Sequence, residues 1–521
     1  MALSPTGLDL TPEFSRALDL LEHGSRNLFI TGRAGTGKST LLQHFRATTD
    51  KNVAILAPTG VAAVNVGGQT IHSFFGFKPD ITPDRVKKLG KAKQELYQKI
   101  DTVVIDEVSM VRADLLDSVA RFLALNGKAP QSPFGGAQMV LFGDLYQLPP
   151  VVPKKEEGLF SGYYESPYFF SARAFEGTEL EWIDLTKVFR QTDETFLDIL
   201  NRIRNDTVSD RDLALLNGRV REEIDIADLE DSIFLTTTND RASAINRRQL
   251  DRLPSKGQTF MAEISGDFDA GSFPTERELT LKEGAQVMLL NNDGLGRWVN
   301  GTLAKIRKID AERERLIVTL PEGDEEEVGP YCWDMFRFEL DRESQRLVPF
   351  SVGQFTQFPV RLAWAITIHK SQGLTFDKIV LDLWRGTFAH GQLYVALSRL
   401  RTLSGLTLTC PVEKRHVLLD RRIQKFITGY QYGLSEAKRP LEKKIELIRE
   451  VIENGQDLEI VYLKSSDEKS RRRVTPMMVS EMEFQARSFL GVRAYCHSRR
   501  EERVFRVDRI LELKVIRADK S

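Results

Sequence analysis

Gly32-Arg33-Ala34-Gly35-Thr36-Gly37-Lys38-Ser39 has the form G-x-x-x-x-G-K-S. Before it, Asn27-Leu28-Phe29-Ile30 is a short apolar run suited to a strand, and after it Thr40-Leu41-Leu42-Gln43-His44-Phe45 opens a helix. A strand, a glycine loop and a helix in that order place backbone N–H groups around a polyphosphate at a helix N-terminus. The glycines permit positive φ and close backbone approach. Lys38 then reaches the β- and γ-phosphates, and the Ser39 hydroxyl ligates Mg²⁺. A glycine-rich turn with a chance Lys-Ser is the plain alternative, and it does not explain the flanks. The chain is expected to bind a nucleoside triphosphate.

Outward from this loop, apolar strands alternate with helical stretches up to about residue 190. Strands are expected at Leu28–Thr31, Val53–Ala57, Val103–Asp106 and Met139–Gly143. Such alternation argues for a parallel sheet with helices on both faces. A second alternating stretch begins near Val188, with strands at Ile233–Thr237 and Ile379–Leu383. Between Gln258 and Phe350 the runs become short and β-rich (Val287–Leu290, Thr302–Ile309, Arg315–Leu320), which reads as a small β-barrel or sheet inserted into the second α/β unit. From about Ser435 a helix, Leu441–Glu453, leads into a β-rich tail that ends near Lys514.

Val103-Val104-Ile105-Asp106-Glu107 is an apolar strand ending in two acids. Asp106 is the candidate Mg²⁺ ligand, and Glu107, one residue on, is the candidate general base for an attacking water. Gly143–Pro150 follows another apolar strand, where Gln147 could bond both a γ-phosphate and a water. A simple turn is the competing account there. Arg190 and Arg399 each sit among apolar residues, and arginine is rarely buried without a partner. A γ-phosphate held between two domains would supply one; a structural ion pair is the alternative.

Composition narrows the class. At 521 residues the chain should hold three or four folding units. Hydrophobic residues make up 41% and charged residues 28%, ordinary values for a globular protein. No apolar run approaches a membrane span, and Met1–Pro5 lacks a secretory pattern, so a bacterial-type cytoplasmic location without membrane partners is expected. Cys332, Cys410 and Cys496 lie too far apart in sequence for a zinc spacing. A net charge of −1 gives no global nucleic-acid signature, yet a channel needs only local positive potential.

Taken in order, the motifs resemble those of superfamily-one DNA helicases of the 5′→3′ branch, and within it the PIF (petite integration frequency) family, beside RecD-like enzymes. The likeness is carried by Gly32–Thr40, Ala57–Ala63, Gly68–Phe75, Asp106–Met110, Gly143–Pro150, Val188–Gln191, Ala365–Gly373 and Tyr394–Arg399, and spans about residues 10 to 430. The resemblance implies two RecA-like parallel-sheet domains, 1–187 and 188–257 with 351–432. It makes the insert 258–350 a Src-homology-three-like barrel. It implies ATP and Mg²⁺ as cofactors, held by Gly32, Gly35, Thr36, Gly37, Lys38, Ser39, Thr40 and Gly373. Asp106, Glu107 and Gln147 would act on metal, water and γ-phosphate, with Arg190 and Arg399 as arginine fingers. Thr59, Gly60, His72, Phe74, Thr367, His369 and Lys370 fall in motifs that touch single-stranded DNA. Their chemistry suits phosphate contact and base stacking, although core packing is the alternative for His72 and, above all, for Phe74. The family usually carries a Gln ahead of the phosphate loop, and Leu10-Thr11-Pro12-Glu13-Phe14 lacks it, which loosens adenine selectivity.

The tail, 436–521, carries 20 Lys and Arg against 16 Asp and Glu, a mild surplus. Its segments Arg473–Pro476, Phe489–Cys496 and Arg503–Ile510 resemble a WYL domain, a small β-fold of bacterial regulators, with the naming tripeptide degraded to Ser488-Phe489-Leu490. Side chains alternate between faces along a strand, so some of Arg473, Arg493, Arg503 and Arg506 should share a face and form an anionic-ligand site; ordinary solvated arginines are the alternative. The expectation for the whole chain is a monomeric ATP-driven DNA helicase serving DNA replication or repair. It would act 5′→3′ on single-stranded and tailed duplex DNA, with quadruplexes among its structured substrates. A ligand-sensing regulator with a switch ATPase and an RNA-directed helicase are the rival readings.

Overall fold

The computed structural model describes residues 11–130, 132–191, 193–221, 232–341, 343–383, 386–484 and 487–516. The first half is built on a six-stranded, wholly parallel sheet. Its strands are β1 (Asn27–Gly32), β2 (Val53–Ala57), β3 (Gln69–Thr70), β4 (Thr102–Ile105), β5 (Gln138–Gly143) and β6 (Leu180–Leu185), in the order β3-β2-β4-β5-β1-β6. β1, flanked by β5 and β6, has Leu28, Phe29 and Ile30 fully buried, as a strand covered on both faces requires. Helix α1 (Pro12–His23) starts on Thr11, whose hydroxyl accepts from the Phe14 N–H at 3.3 Å, with Pro12 at the first helical position. Its Phe14, Ala17 and Leu21 pack with Leu41, Leu42 and Phe45 of α2 (Lys38–Thr48) against the sheet.

A second parallel sheet orders Ala365–Thr367, Ile233–Thr236, Ile379–Asp382 and Leu406–Leu408. Between its first two strands in the chain lies antiparallel structure. Five strands run in the order Glu325–Val328, Arg315–Thr319, Leu303–Asp310, Gln286–Leu289, Val360–Leu362; three more join as Tyr331–Leu340, Leu347–Gln357 and Glu263–Gly266; and Gln258–Met261 pairs with Glu278–Leu281. The expected end of the insert at residue 350 needs correction. It falls inside the strand Leu347–Gln357, and the parallel sheet resumes only at Ala365.

A second compact unit comprises residues 202–208 and 419–521. Its five-stranded antiparallel sheet orders Glu501–Arg506, Arg487–Cys496, Lys469–Phe484, Asp457–Leu463 and Ile510–Ile516. The helix Leu441–Glu453 buries Ile448 and Val451 in the core of this unit. The helix Arg421–Lys438, expected in part with the second α/β domain, belongs here instead: Tyr432 donates to the Leu463 carbonyl at 3.0 Å and Ser435 to that of Leu511 at 2.8 Å. Among the described residues no helix is long and apolar enough to cross a membrane.

Candidate active site and nucleic-acid interface

The phosphate loop bridges β1 and α2. Gly35 (φ +80°) and Gly37 (φ +88°) are left-handed, and a Cβ on Gly35 would lie 2.5 Å from Arg190 Cβ. Glycine at 35 therefore serves both the loop's shape and the approach of the downstream arginine. Gly37 caps α2, and Ser39 and Thr40 sit exposed on its first turn. Thr36 is buried, its hydroxyl donating to the Arg33 carbonyl at 2.9 Å. Lys38 Nζ donates to the carbonyls of Gly32 (2.8 Å) and Arg33 (3.1 Å). Burial pushes its pKa down, while Asp144, Glu107 and Asp106 oppose that shift.

Asp106 leaves the end of β4, and its Oδ1 accepts from the Glu107 N–H at 2.9 Å. Glu107 has φ +50°, an uncommon conformation for a side chain of this size, and it turns the carboxylate into the cleft. Burial first, and then the charge of Asp106, push Glu107 up to about 7. Glu107 Oε2 accepts from Gln372 Nε2 at 2.9 Å, and the same Nε2 reaches Gln147 Oε1 at 3.1 Å.

Lys38, Glu107, Gln147, Arg190, Gly373 and Arg399 line one cleft of about 1740 Å³. Arg190 donates to the carbonyls of Ser398 (3.3 Å) and Gly373 (3.0 Å). Arg399 is 1% exposed and donates to the carbonyls of Val395, Ser371 and Leu374 and to the Ser398 hydroxyl. All of these acceptors are neutral. Burial, and then Arg190, hold Arg399 down at about 9. A buried guanidinium without a carboxylate in contact is prepared for an anion.

A hard divalent cation fits the donor set. The exposed Ser39 hydroxyl and the Asp106 carboxylate, whose Oδ2 takes no hydrogen bond from the described residues, are oxygen donors of the kind Mg²⁺ prefers beside phosphates. Among the described residues no three His, Cys, Asp or Glu side chains cluster as a metal site of their own.

The residues expected to touch DNA divide. Thr59 is exposed and caps the helix Gly60–Asn65, and a Cβ on Gly60 would lie 2.2 Å from Ser272 Oγ. His72 is half-buried, and burial lowers its pKa. His369 is half-buried and Lys370 exposed, both shifted down by burial. Phe74 is corrected: it is 5% exposed, with its ring edge-on to Phe75, Tyr97 and Phe338, so no face is open to a base. Thr367 is also corrected, being buried with its hydroxyl accepting from the Lys370 N–H; it shapes the turn. Phe388, which the sequence reading passed over, is 65% exposed and stacks on His369 with ring centroids 6.3 Å apart.

In the tail sheet, cross-strand partners share a face. Val492 pairs with Phe505 on the buried face, which puts Arg473, Arg493 and Arg506 together on the other. Arg503 pairs with the buried Ala494 and so lies on the opposite face from these three. Arg473 pairs with Asp457 (2.7 Å), Arg506 with Asp508 (2.6 Å) and Arg503 with Glu501 (2.6 Å).

The PIF1-like helicase family matches residues 14–223. The ATP-dependent DNA helicase Pif1 of Bdellovibrio bacteriovorus is 34% identical over 435 residues, covering 81% of this chain and 93% of that protein. The chain belongs to the PIF1-like family of ATP-dependent DNA helicases. The PIF1 helicase of Homo sapiens is 33% identical over 452 residues, 84% of this chain and 66% of the human protein. Bacteroides sp Pif1 in complex with ADP-AlF4 has a TM-score of 0.75 at 37% identity, covering 81% of this chain and 97% of its own. Bacteroides Pif1 bound to ssDNA has a TM-score of 0.60 at 38% identity, with the same coverage. The parallel-sheet core is therefore that of a Pif1 helicase. The WYL domain matches residues 443–515 of the tail.

Asp144, Tyr394 and Gln372 also belong to the cleft's hydrogen-bond network, though the sequence reading gave them no role. All three lie inside motifs already singled out. Their signal was proximity to a strand end or to a glycine, too weak to tell a contact from a spacer.

Proposed function

We propose that this PIF1-like helicase moves 5′→3′ along single-stranded DNA, separating duplex or structured DNA ahead of it, with Mg²⁺–ATP as fuel. The observation that carries the reading is the convergence of the phosphate loop, Glu107 and Gln147 from the first sheet with Gly373 and Arg399 from the second half on one cleft. Lys38 and the loop amides would hold the β- and γ-phosphates, and Ser39 and Asp106 the metal, which supplies charge neutralisation on the phosphate oxygens. Glu107 would take the proton of a water that Gln147 orients. The water oxygen then bonds to the γ-phosphorus as the bond to the ADP oxygen breaks. Arg190 and Arg399 would exchange backbone carbonyls for the γ-phosphate, drawing the two halves together.

Thr59, Gly60 and His72 on one half and His369 and Lys370 on the other would grip the strand alternately as the cleft opens and closes. In the same reading residues 1–187 form the first RecA-like domain, the antiparallel segment is the Src-homology-three-like insert, and the protein works as a monomer. Purified protein on duplexes with a 5′ or a 3′ single-stranded tail tests the direction. Unwinding from the 3′ tail alone would overturn it.

A further inference from the structure

The turn Ser371–Leu374 touches both arginines and both residues that would position the water. Arg399 donates to the carbonyls of Ser371 (3.4 Å) and Leu374 (3.3 Å), and Arg190 to that of Gly373 (3.0 Å). Gln372, between them, sends one Nε2 group to both Glu107 Oε2 (2.9 Å) and Gln147 Oε1 (3.1 Å). These two oxygens are the acceptors that would position an attacking water. Gln147 is held at its other end as well, its Nε2 lying 3.5 Å from Asp144 Oδ2. While Gln372 donates to both, it takes a lone pair on each of the two oxygens to which a water held between the base and its orienting partner would donate.

The same turn continues directly from Thr367, His369 and Lys370, and it is tied back to them. The Gln372 N–H donates to the His369 carbonyl at 3.2 Å, the Ser371 N–H to the Thr367 carbonyl at 3.0 Å and the Ser371 hydroxyl to the Ile368 carbonyl at 2.7 Å. A shift of His369 and Lys370 cannot be absorbed within so short and so bonded a segment. It must move Gln372.

We propose that Gln372 is a positioning residue that withholds Glu107 and Gln147 from water until a strand engages His369 and Lys370. It is the link through which a single strand switches on ATP turnover. This rests on the functional reading above, since it takes Glu107 as the base and His369 and Lys370 as strand contacts. Gln372 acts only through Glu107 and Gln147; it does not itself touch the reacting atoms.

The test compares steady-state ATP turnover of the unchanged protein, Gln372→Ala and Gln372→Glu, without and with saturating poly-dT. Glutamate keeps the side chain's length but has no N–H to give and repels Glu107, so it releases the same two oxygens if alanine fails to fold. A hydrogen bond to a charged group corresponds to roughly ten-fold in rate. The DNA-free rate should therefore rise about ten-fold in either variant, with the poly-dT-saturated rate and the KM for ATP little changed, so that the stimulation ratio collapses. A DNA-free rate that stays the same or falls overturns the proposal, and so does a ratio that collapses because the saturated rate is lost. If poly-dT stimulates the unchanged protein and both variants equally, only the role of Gln372 fails. If it does not stimulate the unchanged protein at all, the functional reading itself fails.

Discussion

The Tyr394 hydroxyl donates to Asp144 Oδ2 at 3.2 Å and accepts from the Ala34 N–H of the phosphate loop, also at 3.2 Å. Asp144 follows β5 of the first sheet, whereas Tyr394 lies on the helix Gln392–Leu397, five residues before Arg399. One buried hydroxyl therefore registers the phosphate loop against the helix that leads into Arg399. Tyr394→Phe removes this partner from a buried N–H and a buried carboxylate, at a cost of about 1–3 kcal/mol. We expect kcat/KM for ATP to fall roughly ten-fold or more. Steady-state kinetics check it, and an unchanged value would mean the register is set elsewhere.

Lys38 and Glu107 separate binding from chemistry. Lys38→Ala should abolish hydrolysis while the circular dichroism spectrum stays native, because its Nζ bonds two loop carbonyls and is proposed to hold the phosphates. Glu107→Gln should still bind ATP but turn it over at least about 100-fold more slowly, the usual worth of a general base. Normal hydrolysis by Glu107→Gln would reassign the base.

Two neighbours on the short helix Ile71–Phe75 should behave oppositely. Phe74→Ala opens a cavity in an aromatic cluster and should destabilise the fold by about 3–5 kcal/mol, with folded protein keeping its affinity for single-stranded DNA. His72→Ala should leave stability nearly unchanged and weaken the DNA Kd by roughly ten-fold, the worth of a lost stacking contact. Fluorescence anisotropy with a labelled oligonucleotide and urea unfolding distinguish the two.

Asp293 gives a pH signature. It accepts from Arg297 Nη2 (2.7 Å) and Nε (2.9 Å) and from the N–H groups of Leu295 and Arg297, and chiefly the Arg297 bonds hold its carboxyl well below the usual range. A carboxyl depressed on folding adds stability above its unfolded value, about 3.9, and loses it as the pH falls toward the folded one. Amide exchange at Leu295 and Arg297 should be faster in Asp293→Asn at pH 7, by roughly ten-fold, which is about 1.4 kcal/mol. The gap between the two proteins should narrow below about pH 4. An equal gap at both pH values would show that the carboxylate charge plays no part.

Much of this site was legible because its chemistry is written in consecutive residues. Strand, glycine loop and helix fix Lys38 and Ser39, and an apolar run ending in Asp106-Glu107 fixes the acids. What sequence could not supply was contact between distant segments. Gln372 reads as a spacer between Lys370 and Gly373 until its amide is seen 2.9 Å from Glu107. Phe74 stays open between stacking and core packing in the sequence, because a five-residue helix is too short for its pattern to reveal which side faces inward. The insert's expected end at residue 350 follows from composition alone, yet the strand runs on to Gln357. The helix Arg421–Lys438 is amphipathic, and amphipathicity does not say which core receives it. Which of the four tail arginines share a face is set by strand register, which sequence alone does not give.

The account's central claim is that closure of the cleft on ATP drives this chain along a strand in one direction. Strand displacement on otherwise identical duplexes carrying either a 5′ or a 3′ tail, with ATP and Mg²⁺, measures it most directly. The account predicts unwinding of the 5′-tailed duplex, little of the 3′-tailed one, and none of either with Lys38→Ala. Unwinding confined to the 3′-tailed duplex, or persisting in Lys38→Ala, would contradict it.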